Sequence, residues 1–310
     1  MYSVPFLIGP TGIGKTEISV RLAEHLSLEI ISADSRQIYR FMDIGTAKPS
    51  SKVLNRIPHH FINCLSPGEY YSAGKYGREA REKISEIQGK KNIPLVVGGS
   101  GFYIQAIIDG FSEIDAYNQS IRDKLCKRLD KQGIEVLHKE LVTVDPDLAK
   151  RIPVKDRQRI LRGLEVFYTT GKPLSHFQLK KPESADFRPV LIGLDTERDF
   201  LYKRINSRVD DMIKSGLVNE VEQLLKMGFS EKDNALNTVG YKEVFQYLQN
   251  EIEFKEMIDR IKMNTRRYAK RQLTWFRKDE RIIWIKITEN SRLENIVNCI
   301  LEKFKIYQVI

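Results

Sequence analysis

No apolar run in the sequence approaches the roughly 18 residues that a membrane-crossing helix needs, and cysteine is scarce. Cys64, Cys126 and Cys299 are the only three; they lie far apart and form no CxxC pair. That spacing indicates neither a disulfide framework nor a zinc site, and the three are read as buried thiols. The adjacent His59 and His60 lack a third ligand at regular spacing, which leaves them a role in a loop or the core. Internal repeats and low-complexity tracts are also missing, so neither a solenoid nor a biased linker is indicated. The opening MYSVPFLIGP carries no basic region and no small-residue cleavage site and leads directly into a strand. A cytoplasmic protein without membrane association is expected.

What remains is an ordinary globular composition, 41% hydrophobic and 30% charged over 310 residues. That length suits one large α/β domain with an insertion, or two domains. Lys and Arg number 51 against 41 Asp and Glu, a net charge of +10. Such a surface attracts polyanions, although many basic proteins bind no nucleic acid. Short apolar runs at 4–8, 28–32, 94–98 and 190–194 read as buried parallel strands. Residues 15–26 form a helix with Ile18, Leu22 and Leu26 on one face, and 75–88 a helix with Ala80, Ile84 and Ile87 inward. This alternation implies a doubly wound sheet.

From 113 to 186 the chain becomes polar, basic and helical, as in SIRDKLCKRLDKQG and KDRQRILRGLEVFYTTGKP. Pro146, Pro153, Pro173 and Pro182 punctuate it, and it contains no convincing strand. It reads as a helical insertion, 113–186, in a core formed by 1–112 and 187–310. Further helices are expected at 198–214, 217–227, 239–248 and 254–278, then an edge strand at 281–287 and a last helix near 291–305.

The stretch GPTGIGKT matches GxxxxGK(S/T) through Gly9, Gly14, Lys15 and Thr16, and the strand before it and helix after it supply the context of a phosphate loop. Gly12 and Gly14 let backbone N–H groups point at phosphate oxygens, helped by the positive end of the helix. Lys15 neutralises oxygen charge, and Thr16 suits Mg²⁺. A nucleoside triphosphatase would usually add an apolar strand ending in an acidic residue. The candidate strand, IPLVVGGSGFY, ends in Gly98-Gly99-Ser100 instead. A carboxylate comes from another strand, since LEIISADSRQIY places Asp34 and Ser35 at the carboxyl edge where α/β sheets bind ligands. Asp34 suits a metal ligand, a cap for the following turn or a general base.

Taken together, GPTGIGKT, ISADSRQIYRFMDIGTAKP, YSAGKY, IPLVVGGSGFYIQAI, DRQRILRGLEVFYTTGKP, TVGYKEV and RRYAKRQLTWFR resemble the bacterial tRNA isopentenyltransferase (dimethylallyltransferase) family. The match runs in order over essentially the whole chain. The resemblance implies a P-loop kinase-like α/β core whose helical insertion binds tRNA. It also implies transfer of a dimethylallyl group from dimethylallyl diphosphate to N6 of adenosine 37, in tRNAs that read codons starting with U, by a monomer. The loop Gly9, Pro10, Thr11, Gly12, Ile13, Gly14, Lys15 and Thr16 would then hold a diphosphate leaving group, with Mg²⁺ near Thr16. Arg204 and Arg208, one helical turn apart, would form the clamp, the alternative being a solvated basic face. Asp34 would act as the base on the weakly nucleophilic adenine amine.

The same resemblance sets Asp34, Ser35, Arg36 and Gln37, together with Ser100 and Arg122, at the tRNA surface. With them go Gln158, Arg159, Ile160, Leu161 and Arg162, and Asn237, Thr238, Val239, Gly240, Tyr241 and Lys242. Gln37 has an amide suited to base edges, while Arg122, Arg159, Arg162 and Lys242 suit phosphates. In NTRRYAKRQLTWFRK, the basic residues Arg266, Arg267, Lys270 and Arg271 suit phosphates. Trp275, Phe276 and, further on, Trp284 are assigned to the core. Eukaryotic relatives append a Cys/His zinc module, and no such spacing occurs here, so zinc-based tRNA contact is not expected. Two competing readings are a P-loop nucleoside or small-molecule kinase using ATP, and a non-catalytic RNA-binding protein.

Overall fold

The computed structural model describes residues 2–111, 114, 116–179 and 183–310. Pro182 and the boundary residues 112 and 113 lie outside them. By its internal contacts the chain divides into two compact units, Met1–Ile108 with Ser184–Ile310, and Asp109–Glu183.

The larger unit is built on six parallel strands in the order β3-β2-β4-β1-β5-β6. They are β1 (Ser3–Ile8), β2 (Leu28–Ala33), β3 (His59–His60), β4 (Ile93–Gly98), β5 (Arg188–Thr196) and β6 (Ile283–Ile287). This is the doubly wound sheet expected from the apolar runs. Successive residues face opposite sides of a strand, and here both sides are covered. Val4, Phe6 and Ile8 enter one core with Ile31, Val96 and Leu191. Leu7 enters the other with Ile30, Leu95, Ile192 and Leu194.

The connecting helices are α1 (Lys15–His25), α2 (Ser51–Arg56), α3 (Ala73–Gly89) and α4 (Gly101–Ile108). The smaller unit contributes α5 (Gln119–Gln132), α6 (Ile134–Val144), α7 (Pro146–Ala149), α8 (Arg157–Thr170) and α9 (Leu174–Gln178). The larger unit resumes with α10 (Arg198–Lys214), α11 (Leu217–Lys226), α12 (Tyr241–Leu248), α13 (Phe254–Phe276) and α14 (Leu293–Ile306). The smaller unit has a core of its own around Leu125, Leu137, Leu141, Ile160 and Leu164.

Several sequence expectations are corrected. The two-residue strand β3 is new: His59 pairs with Ile30, and His60 Nε2 lies 2.7 Å from Glu29 Oε2. Strand β6 starts at Ile283 rather than 281, because Asp279 draws the Arg281 amide and guanidinium into a turn. Cys64 is exposed and Cys126 and Cys299 are half-buried, so none is a core thiol. Trp275 is 38% exposed and packs on Phe102, whereas Phe276 is buried as expected and Trp284 is partly buried against the core. Helix α13 turns Phe276 inward, and the next residue back around the helix must then face outward.

Candidate active site

Three connections leave the carboxyl ends of adjacent strands and converge. They are the loop Gly9–Gly14 after β1, Asp34 after β2, and Gly99-Ser100 after β4. The glycines ending β4 answer a spatial demand. A Cβ on Gly98 would lie 2.1 Å from the Ala33 carbonyl oxygen, and one on Gly99 2.3 Å from Gln272 Nε2. An acidic strand end has no room there.

Gly12 and Gly14 hold φ values of +83° and +103°, a region that L side chains rarely adopt. Gly14 is the N-cap of α1 and offers no side-chain cap, so the first N–H groups of the helix are left for an anion. Lys15 Nζ donates to the carbonyls of Gly9 (2.9 Å) and Pro10 (2.8 Å). Burial pulls its pKa down to about 7, with Asp34 opposing and Arg208 reinforcing the shift. Ile13, 3% exposed, anchors the loop in the core, and Thr16 stands exposed on the first turn of α1. From α10, Arg204 Nε donates to the Gly12 carbonyl at 2.8 Å and Arg208 Nη1 to Thr11 Oγ1 at 3.4 Å. Burial lowers the Arg208 pKa against the pull of Asp34.

Asp34 Oδ1 accepts the N–H groups of Arg36 (2.9 Å) and Gln37 (3.4 Å), which caps the turn that follows β2. Its second oxygen receives no hydrogen bond among the described residues. Capping therefore occupies one oxygen and leaves the other for chemistry. Ser100 Oγ accepts from the Ser35 amide at 3.0 Å and bonds to the Tyr268 hydroxyl. Burial first, and then Asp34, push the Tyr268 pKa up to about 12, so this phenol stays neutral.

Two cavities meet at this point. One, about 480 Å³, lies along Gly12, Lys15, Thr16 and Arg204. The other, about 430 Å³, is bordered by Ser35, Arg36, Asn237, Lys242 and Arg271. They share four residues: Thr11, Asp34, Arg208 and Tyr268.

Other residues singled out in the sequence are placed differently. The Gln37 amide donates to the Thr46 and Ala47 carbonyls and accepts from Ser32 Oγ, so its hydrogen-bonding groups are already engaged. Arg36 Nη1 donates to the Asn234 carbonyl at 2.7 Å. Asn237 and Lys242 are exposed and Thr238 and Val239 half-buried, but Gly240 and Tyr241 are buried. The Tyr241 ring packs on Gly45, and its hydroxyl donates to Glu220 Oε1 at 2.6 Å, which removes this side chain from any ligand surface. Within the smaller unit, Gln158 and Arg159 are exposed, while Ile160 and Leu161 point into the local core and offer a ligand no side chain. Arg122 and Arg162 both donate to Glu165 Oε2 at 3.1 Å, so one buried carboxylate holds two guanidinium groups side by side.

Three residues that border the site or hold its walls are not evident from the sequence. Glu220 accepts the amides of Asp43, Ile44 and Gly45. Glu243 accepts the Gly240 amide at 2.7 Å. Gln272 bridges Thr11 and Gly99. Only Gln272 leaves a usable signal: it falls at helical spacing on the same stripe as Ala269 and Phe276, a polar residue where apolar ones are expected.

A family model described as IPP transferase matches residues 37–279. A tRNA dimethylallyltransferase of Christiangramia forsetii is 44% identical over 287 residues, 92% of this chain and 94% of the relative. One from Thermotoga neapolitana is 43% identical over 286 residues, 92% and 93% of the two chains. Among solved structures, the full-length tRNA isopentenylpyrophosphate transferase of Bacillus halodurans matches with a TM-score of 0.72 at 36% identity, over 99% of this chain and 98% of that one. A eukaryotic dimethylallyltransferase described as acting on tRNA matches with a TM-score of 0.82 at 27% identity, over 99% and 80%.

Proposed function

The chain belongs to the IPP transferase family and, like the tRNA dimethylallyltransferases it matches, is an enzyme that transfers a prenyl group to tRNA; we propose that the donor is dimethylallyl diphosphate and the acceptor N6 of adenosine 37 in tRNAs reading codons that start with U. The observation that carries this is the pair of cavities meeting at Thr11, Asp34, Arg208 and Tyr268. Diphosphate occupies the cavity along Gly9–Thr16, Arg204 and Arg208. The acceptor base enters the other, past Ser35, Arg36, Ser100, Asn237 and Lys242. A base stacked in an RNA loop reaches such a cavity only by extrusion.

The chemistry follows from the two sides. The allylic C–O bond breaks with its electron pair leaving on diphosphate, while the N6 lone pair forms the new C–N bond. The N6 proton passes to the Asp34 carboxylate. Loop N–H groups, Lys15 and Arg208 stabilise the charge that develops on the leaving group. The donor set also fits Mg²⁺. Thr16 presents a hydroxyl, and no group of three or more His, Cys, Asp or Glu stands ready to hold a metal among the described residues, so diphosphate oxygens and water would complete an oxygen shell. A bound cation would add screening of the leaving group.

In the smaller unit, the paired Arg122 and Arg162, with exposed Gln158 and Arg159, meet tRNA phosphates and base edges. The enzyme works as a monomer in the cytoplasm. The kinase alternative finds no support, since none of the relatives described above is a kinase. The test is incubation with unmodified tRNA and labelled dimethylallyl diphosphate in the absence of ATP. Label should appear in tRNA, and strict ATP dependence without prenylated tRNA would overturn the proposal.

A further inference from the structure

Gln272 is 7% exposed, in a helix whose neighbouring turn carries Tyr268 and Arg271 at the acceptor cavity. Its Nε2 donates to the Gly99 carbonyl at 2.9 Å, and its Oε1 accepts the Thr11 N–H at 2.9 Å. Only one orientation of the amide meets both, since the carbonyl needs a donor and the N–H an acceptor. Asparagine, one methylene shorter, cannot span the two partners. Gly99 is the seat of this contact, because a Cβ there would lie 2.3 Å from Nε2.

The consequence falls on the phosphate loop. With its N–H taken by Gln272, Thr11 turns no backbone donor toward an anion, and its hydroxyl stands where Arg208 Nη1 meets it at 3.4 Å. We propose that Gln272 is a positioning residue that pins Thr11 to the end of β4, and thereby fixes the loop and the Arg208 guanidinium in the geometry that receives the leaving diphosphate. Its side chain borders the diphosphate cavity, but both of its polar atoms are spent on Thr11 and Gly99. Its contribution is preorganisation, and a displacement of about 1 Å at such a site costs on the order of a hundredfold in rate.

The transfer assay rests on the function proposed above, whereas binding of inorganic diphosphate does not, so the two are measured separately. In Gln272→Glu, a carboxylate still accepts from Thr11 but sets oxygen against the Gly99 carbonyl oxygen. At pH 8 we expect inorganic diphosphate affinity and the single-turnover transfer rate each to fall roughly tenfold or more, with tRNA affinity within about twofold of wild type. As the pH falls toward 6 and the carboxyl takes up a proton, it becomes a donor again, and the ratio to wild type should narrow. A general packing defect would show no such pH signature. Folded Gln272→Glu with wild-type diphosphate affinity at pH 8, or with a deficit that does not change with pH, overturns the proposal. If that variant does not fold, Gly99→Ala displaces the amide without removing it. Unchanged diphosphate affinity in Gly99→Ala overturns the proposal equally. Should wild type bind diphosphate and prenylate no tRNA, the function fails while the affinity series still decides Gln272.

Discussion

Two residues carry the proposed chemistry, Lys15 through an amine that burial has made unusual and Asp34 through the oxygen that its cap leaves over. Lys15 has its pKa lowered to about 7, below the ordinary lysine value near 10.4. Between those values the folded chain binds fewer protons than the unfolded one, so this residue's contribution to stability rises with pH across that window and is least favourable below it. An anion in the loop reverses the shift by stabilising the ammonium. Binding of dimethylallyl diphosphate at pH 8, where phosphates with a second pKa of about 6 are ionised, should therefore take up close to one proton. Calorimetry in buffers of different ionisation enthalpy reads that number. Lys15→Arg, which cannot lose its charge, should show no uptake, and equal values in both proteins would contradict the assignment. Asp34→Asn keeps the capping oxygen but loses the base, so single-turnover transfer should fall about a hundredfold or more while diphosphate affinity holds. Near-full transfer would remove Asp34 from the base role.

At the scale of elements, the loop Asp43–Gly45 shows how motif residues serve the fold as well as the site. Glu220 on α11 accepts three consecutive amides from it and the Tyr241 hydroxyl from α12, which ties the segment after β2 to two helices. Gly45 must be glycine there, since a Cβ would sit 2.4 Å from the Tyr241 ring. Glu220→Ala leaves these donors without their acceptor and should destabilise the larger unit by about 2 kcal/mol. A thermal melt unchanged from wild type would show that water replaces the carboxylate at no cost. Element boundaries were largely legible: the helix read at 198–214 matches α10 at both ends, and the apolar runs lie within or on their strands. The strand β3 was not legible, because two half-buried histidines have no strand pattern until Ile30 and Glu29 stand beside them.

Across the whole molecule, the +10 charge becomes specific only where cations lack acidic partners or share one. In the smaller unit, two arginines against one buried Glu165 leave a net positive charge at α5 and α8. In the larger unit, Arg208 and Arg271 border the acceptor cavity. tRNA binding should therefore release counterions. If about four phosphates of single-stranded loop are neutralised, raising salt from 50 to 200 mM weakens affinity on the order of 50-fold. Filter binding across that range measures it. A flat response would mean that base edges and stacking, rather than phosphates, supply the affinity. Arg162→Ala should reduce the slope by roughly one phosphate's share.

The sequence by itself determined what depends on neighbours in the chain. The parallel strands follow from apolar runs, the helices from their period, and the phosphate loop from glycines that alone tolerate positive φ at residues 12 and 14. Asp34 was visible because it follows a strand, where α/β sheets bind ligands. Tertiary structure decided what depends on distant partners. Gln272 meets Thr11 across 261 residues and Gly99 across 173, and no local pattern shows where a helix stripe will find a loop. The family resemblance sets Tyr241 and Gln37 at the tRNA surface, yet their polar atoms are engaged by Glu220 and by the Thr46 and Ala47 carbonyls. A side chain's chemistry is set by sequence, but whether its hydrogen-bonding atoms remain available for a ligand is settled only when the fold has satisfied its own buried donors and acceptors.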